Sequence, residues 1–179
     1  MKRNLPHYIF ACLVLAALTG CVQKSANGSS HVFTYEIWVP LLVLMGGIVG
    51  APAGWFLRHA SARLGWGLLI LAPIGAIFFA PSLFMEKVVV HDDALTVRSG
   101  IWGMTANHDV KFDNVQMVRL TSEEVRGRRG RKTTNYYLVF VQKDGSQAKV
   151  SINNNVTEAA APLILEKMDD REIPIINET

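Results

Sequence analysis

Two runs of the chain carry no charge: Ile37 to Leu57, 21 residues, and Leu64 to Met85, 22 residues. Coiled as helices at 1.5 Å per residue, each covers the roughly 30 Å of a bilayer's hydrocarbon core. The long helix of a soluble core keeps a polar face and neither run has one, so both are predicted to be transmembrane helices. Trp38, Trp55 and Trp66 fall near span ends, where indole rings prefer the interface. The joining segment Arg58-His59-Ala60-Ser61-Ala62-Arg63 is long enough only to turn the chain back, which makes residues 37–85 a helical hairpin. Gly46, Gly50 and Gly54 recur every four residues in the first span, and Ala72, Ala76 and Ala80 in the second. Small-residue ridges let helix backbones approach closely in lipid. These two are expected to pack against each other within one hairpin, with homodimerisation of the whole protein as the alternative. Pro40, Pro52, Pro73 and Pro81 should kink the spans. No ionisable group lies inside either run, which argues against a transport pathway or proton relay.

From Glu86 the pattern changes to short β-prone runs between turn residues, the mark of a small antiparallel sheet or barrel. Glu86 to His91 leads through Asp92-Asp93 into Leu95 to Arg98, a predicted hairpin. Strands are then expected over Trp102 to Phe112, Asn114 to Thr121, Tyr136 to Gln142 and Gln147 to Ile152, the last two joined by a tight Asp144-Gly145 turn. The run Tyr137 to Val141 is apolar on both faces and should be a central strand. A terminal helix begins near Asn155 or Thr157, with Ala160, Ile164, Leu165 and Met168 on one side. Pro162 suggests that its regular part starts only near Ala159. The predicted fold class is therefore a membrane helical hairpin plus a small α+β domain over residues 86–179.

The N-terminus has Lys2 and Arg3, an apolar stretch from Tyr8 to Leu18, and then Leu18-Thr19-Gly20-Cys21. A basic start, a short apolar core and a small-residue cleavage site make a secretion signal, and this one resembles the signal peptide of a bacterial lipoprotein. The resemblance implies removal of residues 1–20 and lipidation of Cys21. Cys12 would leave with the signal, so the mature chain keeps one thiol and forms no internal disulfide. The alternative is an uncleaved short anchor with Cys21 incidental. Residues 21–36 read as a polar, flexible tether. Positive charge in short loops marks the cytoplasmic side, so Arg58 and Arg63 place residues 86–179 outside, at the outer face of the bacterial cytoplasmic membrane. An uncleaved first segment gives the same orientation after three crossings. Asn27-Gly28-Ser29 and Asn155-Val156-Thr157 match the glycosylation pattern, which a bacterial signal leaves empty.

The 179 residues have room for one small domain besides the spans, and the formal charge of +3 falls to +1 without Lys2 and Arg3. Net charge alone implies no partner, but its distribution does. Residues 86–179 hold 13 basic and 14 acidic residues, and five of the 13 are Arg126, Arg128, Arg129, Arg131 and Lys132. Interleaved with Gly127 and Gly130, they form a basic loop on an acidic body. Guanidinium groups meet phosphates in a bidentate way, and near a membrane each cation is worth on the order of 1 kcal/mol against anionic lipid. A solvated hairpin loop is the plain alternative. Nucleic acid is excluded by export and by the lack of aromatic residues among the cations. His91-Asp92-Asp93 and His108-Asp109 invite a metal or acid–base reading, but strand neighbours point to opposite faces. There is no nucleophile elbow, zinc-ligand spacing or phosphate-cradling glycine loop, so no catalysis and no cofactor are expected.

A pair of spans, then Val88 to Gly103 (VVVHDDALTVRSGIWG), then Val110 to Val118 (VKFDNVQMV), a β-hairpin and a terminal helix resembles the bacterial PH-like (pleckstrin-homology-like) domains found beside membrane helices. The resemblance covers roughly residues 86 to 174 and implies two curved antiparallel sheets, a sandwich or partly open barrel, closed by the C-terminal helix. It carries no catalytic residue and does not imply a phosphoinositide ligand. The function expected is a non-enzymatic, lipid-anchored interaction protein that binds a partner protein or anionic head groups. The alternative is an auxiliary subunit of a larger membrane complex, with the domain as an assembly or lid module.

Overall fold

A computed structural model describes residues 22–101, 104–126 and 131–178. The chain divides into two compact units. One is formed by Tyr35–Glu86, with Gly100–Thr105; the other by Val22–Thr34, Lys87–Ser99 and the chain from Ala106 onward.

In the first unit, α1 (Trp38–Leu57) and α2 (Ala62–Met85) are both long and apolar enough to cross a membrane. Their outward side chains are uncovered, Phe56 to 75% and Leu71 to 68%. Between Gly75 and Phe79, α2 widens into a π-helical turn, with Ala80 N–H donating to Gly75 O. Pro73 and Pro81 flank this turn. The wider spacing lets carbonyls pair one residue further on, past a prolyl nitrogen that has no hydrogen to give.

The two helices meet on small residues. A Cβ added at Gly50 would lie 2.8 Å from Ala72 Cβ, and one at Gly54 would lie 2.7 Å from Leu69 N and 2.8 Å from Gly65 O. Gly46 does not belong to this seam: a Cβ there meets nothing within 4 Å, whereas one at Gly47 would clash with Ala76 and Ala72. Strict four-residue spacing drifts around a helix of 3.6 residues per turn. The steps of three and four from Gly47 to Gly50 to Gly54 stay on one stripe. On the other helix Ala72 and Ala76 face that stripe, and Ala80 is fully buried.

The second unit contains two sheets and one helix, not a closed barrel. The first sheet runs in the order β1 (Val22–Asn27), β2 (Ser30–Tyr35), β3 (Lys87–Val90), β4 (Ala94–Ile101) and β5 (Met104–Lys111). Val22 to Tyr35, expected to be a flexible tether, is therefore a β-hairpin. Gly28, at φ +63°, supplies the left-handed residue that its two-residue turn requires. Nothing in Val-Gln-Lys-Ser-Ala-Asn alternates, so that strand is made by its neighbour. Ser30–Tyr35 does carry a signal, in Val32, Phe33 and Tyr35, and Phe33 is buried, only 3% exposed. β2 pairs with β3 antiparallel, His31 opposite Val90 and Thr34 opposite Lys87, across an intervening sequence that holds both apolar helices.

After a 3₁₀ turn (Phe112–Asn114) the second sheet runs in the order β8 (Gln147–Ser151), β7 (Lys132–Gln142), β6 (Val115–Arg126) and β9 (Ile175–Glu178). β7 is internal, and its Leu138 and Phe140 are fully buried. β9 pairs in parallel with β6, Val118 to Thr121, and no sequence pattern announced it.

Helix α3 (Asn155–Asp169) buries Val156, Thr157, Ala160, Ile164 and Met168 and packs against β3 and β1. It runs regularly through Pro162 instead of starting near Ala159. The reason lies at its start: the Asn154 side chain accepts the Thr157 N–H at 2.7 Å, an N-cap, and Val156 and Thr157 are buried. Burial of that first turn outweighs the one hydrogen bond that Pro162 cannot make. The helix ends in a Schellman motif, Ile173 N–H to Met168 O at 3.0 Å and Glu172 N–H to Asp169 O at 2.9 Å. Its left-handed position, usually glycine, holds Glu172 at φ +55°. Replacing Glu172 by Gly should raise the unfolding free energy by about 0.5–1 kcal/mol. Chemical denaturation of the purified protein beside wild type checks this, with Glu172→Ala as the unchanged control.

Candidate functional site

Two members of the basic cluster, Arg126 and Lys132, sit on a two-stranded ribbon. β6 and β7 pair from Val115 and Gln142 out to Arg126 opposite Lys132. Their outer neighbours stop earlier, since β9 accompanies only Val118 to Thr121 and β8 only Tyr137 to Val141. Tyr136 still bonds to Asn153 and Ile152, and beyond it, from Glu123 and Asn135 onward, β6 and β7 have no further strand beside them. Glu123 to Arg126 and Arg131 to Thr134 are exposed. Arg126 and Lys132 are thus strand residues held in register, and Arg131 adjoins β7. Arg128 and Arg129, with Gly127 and Gly130, lie outside the described residues.

Two ion pairs brace the ribbon. Lys132 Nζ stands 3.0 Å from Glu124 Oε2, and Lys149 on β8 pairs with Glu123 while lying 3.9 Å above the Tyr137 ring. Both pairs are about half exposed and contribute little to stability. They leave the root of the ribbon neutral and its far end cationic. Sequence reasoning missed the strand register, and with it the placing of Tyr136, which is 45% exposed at the ribbon's root.

The acid-rich turns have a structural task. Asp92, in the β3–β4 turn, accepts from Lys167 Nζ of α3 at 2.8 Å. Arg171 donates to the Asp92 carbonyl at 2.7 Å and to Asp113 Oδ1 at 2.6 Å, with its guanidinium 5.5 Å from the Phe112 ring centre. These contacts tie the C-terminal end of α3 to the two turns that flank the first sheet. The hydrogen bond and charge of Lys167 hold the Asp92 carboxyl below its ordinary range, and Asp92 in turn raises Lys167. A depressed carboxyl stabilises the fold above its unfolded pKa, and that stability is lost as pH falls through the folded value. A raised lysine stabilises below its unfolded pKa and loses this as pH rises through the folded value. Stability should therefore be level through the neutral range and fall at both extremes. Asp92→Asn should flatten part of the acid limb of a denaturation-against-pH curve; an unaltered limb would mean that the contact is idle.

Among the described residues no group of three His, Cys, Asp or Glu side chains is arranged to hold a metal ion. A shallow cleft of about 640 Å³ lies beside Phe112, Gln116, Lys143 and Arg171. Its two cations are already engaged, Lys143 with the Asp113 carbonyl at 2.7 Å and Arg171 as above. The ribbon is thus the candidate site, and what it can do chemically is bind anions. No protein-family profile and no curated protein matches the chain.

Proposed function

We propose that this protein is a non-enzymatic, lipid-anchored membrane protein that presents a PH-like interaction domain at the outer face of the bacterial cytoplasmic membrane, where its basic ribbon binds anionic head groups. The observation that carries this is the pairing of β2 with β3. One strand precedes the apolar helices and the other follows them, and they share one sheet. Two strands hydrogen-bonded side by side lie on the same side of a membrane, so helices inserted between them cross an even number of times. Two helices fit that requirement. With Arg58 and Arg63 in the connecting turn kept inside by the positive-inside rule, the sheet domain faces out, in line with a signal that exports the N-terminus.

The same pairing bears on Cys21. β1 begins at Val22, and β1 and β2 form a hairpin, so the residue that would carry the lipid adjoins the end of the first sheet from which Tyr35 leads to α1 and where Lys87 enters from α2.

Protease added to intact spheroplasts should digest a C-terminal tag. Protection until lysis would put the domain inside and overturn the orientation. Cys21→Ser should abolish labelling by a fatty-acid analogue and leave a larger precursor; equal label in both chains would remove Cys21 from the scheme.

A second reading, an auxiliary subunit of a larger membrane complex, is favoured by Gly46, Gly67 and Gly75, where an added Cβ meets nothing within 4 Å. Small residues left open on apolar helices suit contact with further helices. Co-purification in mild detergent separates that reading from a free-standing binder.

A further inference from the structure

We propose that the ribbon meets anionic lipid head groups with one of its two faces, the one bearing Arg126, Lys132 and Tyr136, and that Glu124 is the carboxylate which a head-group phosphate displaces from Lys132. This rests on the head-group binding proposed above and says which residues perform it.

The register defines the faces. Directly opposed residues of an antiparallel pair share a side, and successive residues alternate. One side therefore carries Ser122 with Tyr136, Glu124 with Thr134, and Arg126 with Lys132; the other carries Glu123 with Asn135 and Val125 with Thr133. The described strand pairs of this second side carry no cation, and Glu123 is held by Lys149.

On the first side, Arg126 and Lys132 stand directly opposite each other at the last described pair of the ribbon. Like charges in that position are destabilising. The arrangement costs the isolated fold stability and becomes favourable when an anion sits between the two cations. Glu124, one step diagonal, supplies a substitute anion in the free protein at 3.0 Å from Lys132. That pair is more than half exposed on both partners, so a doubly charged or multiply accepting phosphate can replace it at little cost. Among the described residues no ion pair involves Arg126. Tyr136 lies on the same side at the root, with an apolar ring and a polar tip, the build of a residue that settles at head-group depth.

The test uses the full chain in lipid nanodiscs, with amide hydrogen exchange of Ser122 to Arg126 and Lys132 to Tyr136 as the readout and the core amides of Val118 and Phe140 as the internal standard. In phosphatidylglycerol-containing discs these ribbon amides should exchange several-fold more slowly than in phosphatidylcholine discs, and the difference should fade with salt. Arg126→Gln with Lys132→Gln should return exchange to the phosphatidylcholine value. Glu124→Gln should slow it beyond wild type, because the competing carboxylate is gone. Val125→Ser with Thr133→Ser, on the other face, should behave as wild type. Equal losses from the two double variants, or no gain from Glu124→Gln, would overturn the choice of face while leaving head-group binding in place. Wild-type exchange that is the same in both discs would overturn head-group binding itself. Slowing by inorganic phosphate in phosphatidylcholine discs, equal to that by phosphatidylglycerol, would assign the site to free phosphate and overturn the lipid.

Discussion

A chain beginning at Val22 in which Tyr35 is joined to Glu86 through an Asn-Gly turn, with residues 36–85 removed, will fold as a soluble domain. A fragment that simply begins at Glu86 will not. The difference follows from the register of β2 on β3, where Thr34 stands opposite Lys87. The next two positions, Tyr35 and Glu86, are where a two-residue type I′ turn closes a hairpin. Deleting β1 and β2 removes Phe33 from the core, and truncation of a buried Phe costs about 3–5 kcal/mol. It also uncovers one edge of β3, whose Val88 and Val90 are 1% exposed, each worth roughly 1.5 kcal/mol or more when buried. Together these losses reach the whole stability of a typical small domain, about 5–15 kcal/mol. Circular dichroism and gel filtration of the two proteins decide the matter. A cooperative melt from the Glu86 fragment would show that the N-terminal hairpin is dispensable, and it would remove the argument for two crossings between β2 and β3.

The second large effect is expected in the helical hairpin. Gly54→Val should force the helices apart, because its Cβ would meet backbone atoms, Leu69 N at 2.7 Å and Gly65 O at 2.8 Å, which no side-chain rotation can clear. Overpacking of this kind costs about 1–3 kcal/mol, and a clash on backbone belongs at the upper end. Gly50→Val should cost somewhat less, since one of its two close contacts, Leu68 Cδ2 at 3.2 Å, can rotate away, although Ala72 Cβ at 2.8 Å is fixed to its backbone. Gly46→Val should cost nothing, since its Cβ points into open space. Thermal denaturation in detergent, followed by the tryptophans beside the seam, gives the order. A Gly46 variant as damaging as the Gly54 variant would mean that the four-residue ridge is the true contact, made with another chain.

Much of the architecture is legible along the chain because it depends on local chemistry. Two uncharged runs of more than twenty residues can become little else than membrane-length helices. Short β-prone runs between turn residues mark β3, β4, β6, β7 and β8, and the terminal helix shows its buried stripe of Ala160, Ile164 and Met168. For the candidate site, the sequence placed cations on a connection between two strands. It did not show that Arg126 and Lys132 are within those strands, face each other and share a side with Tyr136.

What the sequence determined by itself are the features in which each residue's own solubility and backbone preference settle its state: the two long apolar helices, the strand-rich character of the chain after Glu86, and the cluster of positive charge. Tertiary structure decided the rest, because those features depend on partners far away in the chain. Val22–Asn27 is a strand only because β2 lies beside it, Ile175–Glu178 only because β6 offers a free edge, and Gly47 takes the place of Gly46 only because the second helix crosses at that stripe. The joining of Ser30–Tyr35 to Lys87–Val90 across both helices is the extreme case. Backbone hydrogen bonds between strands carry no side-chain code, so the burial of Phe33, Val88 and Val90 in one core is what selects that pairing.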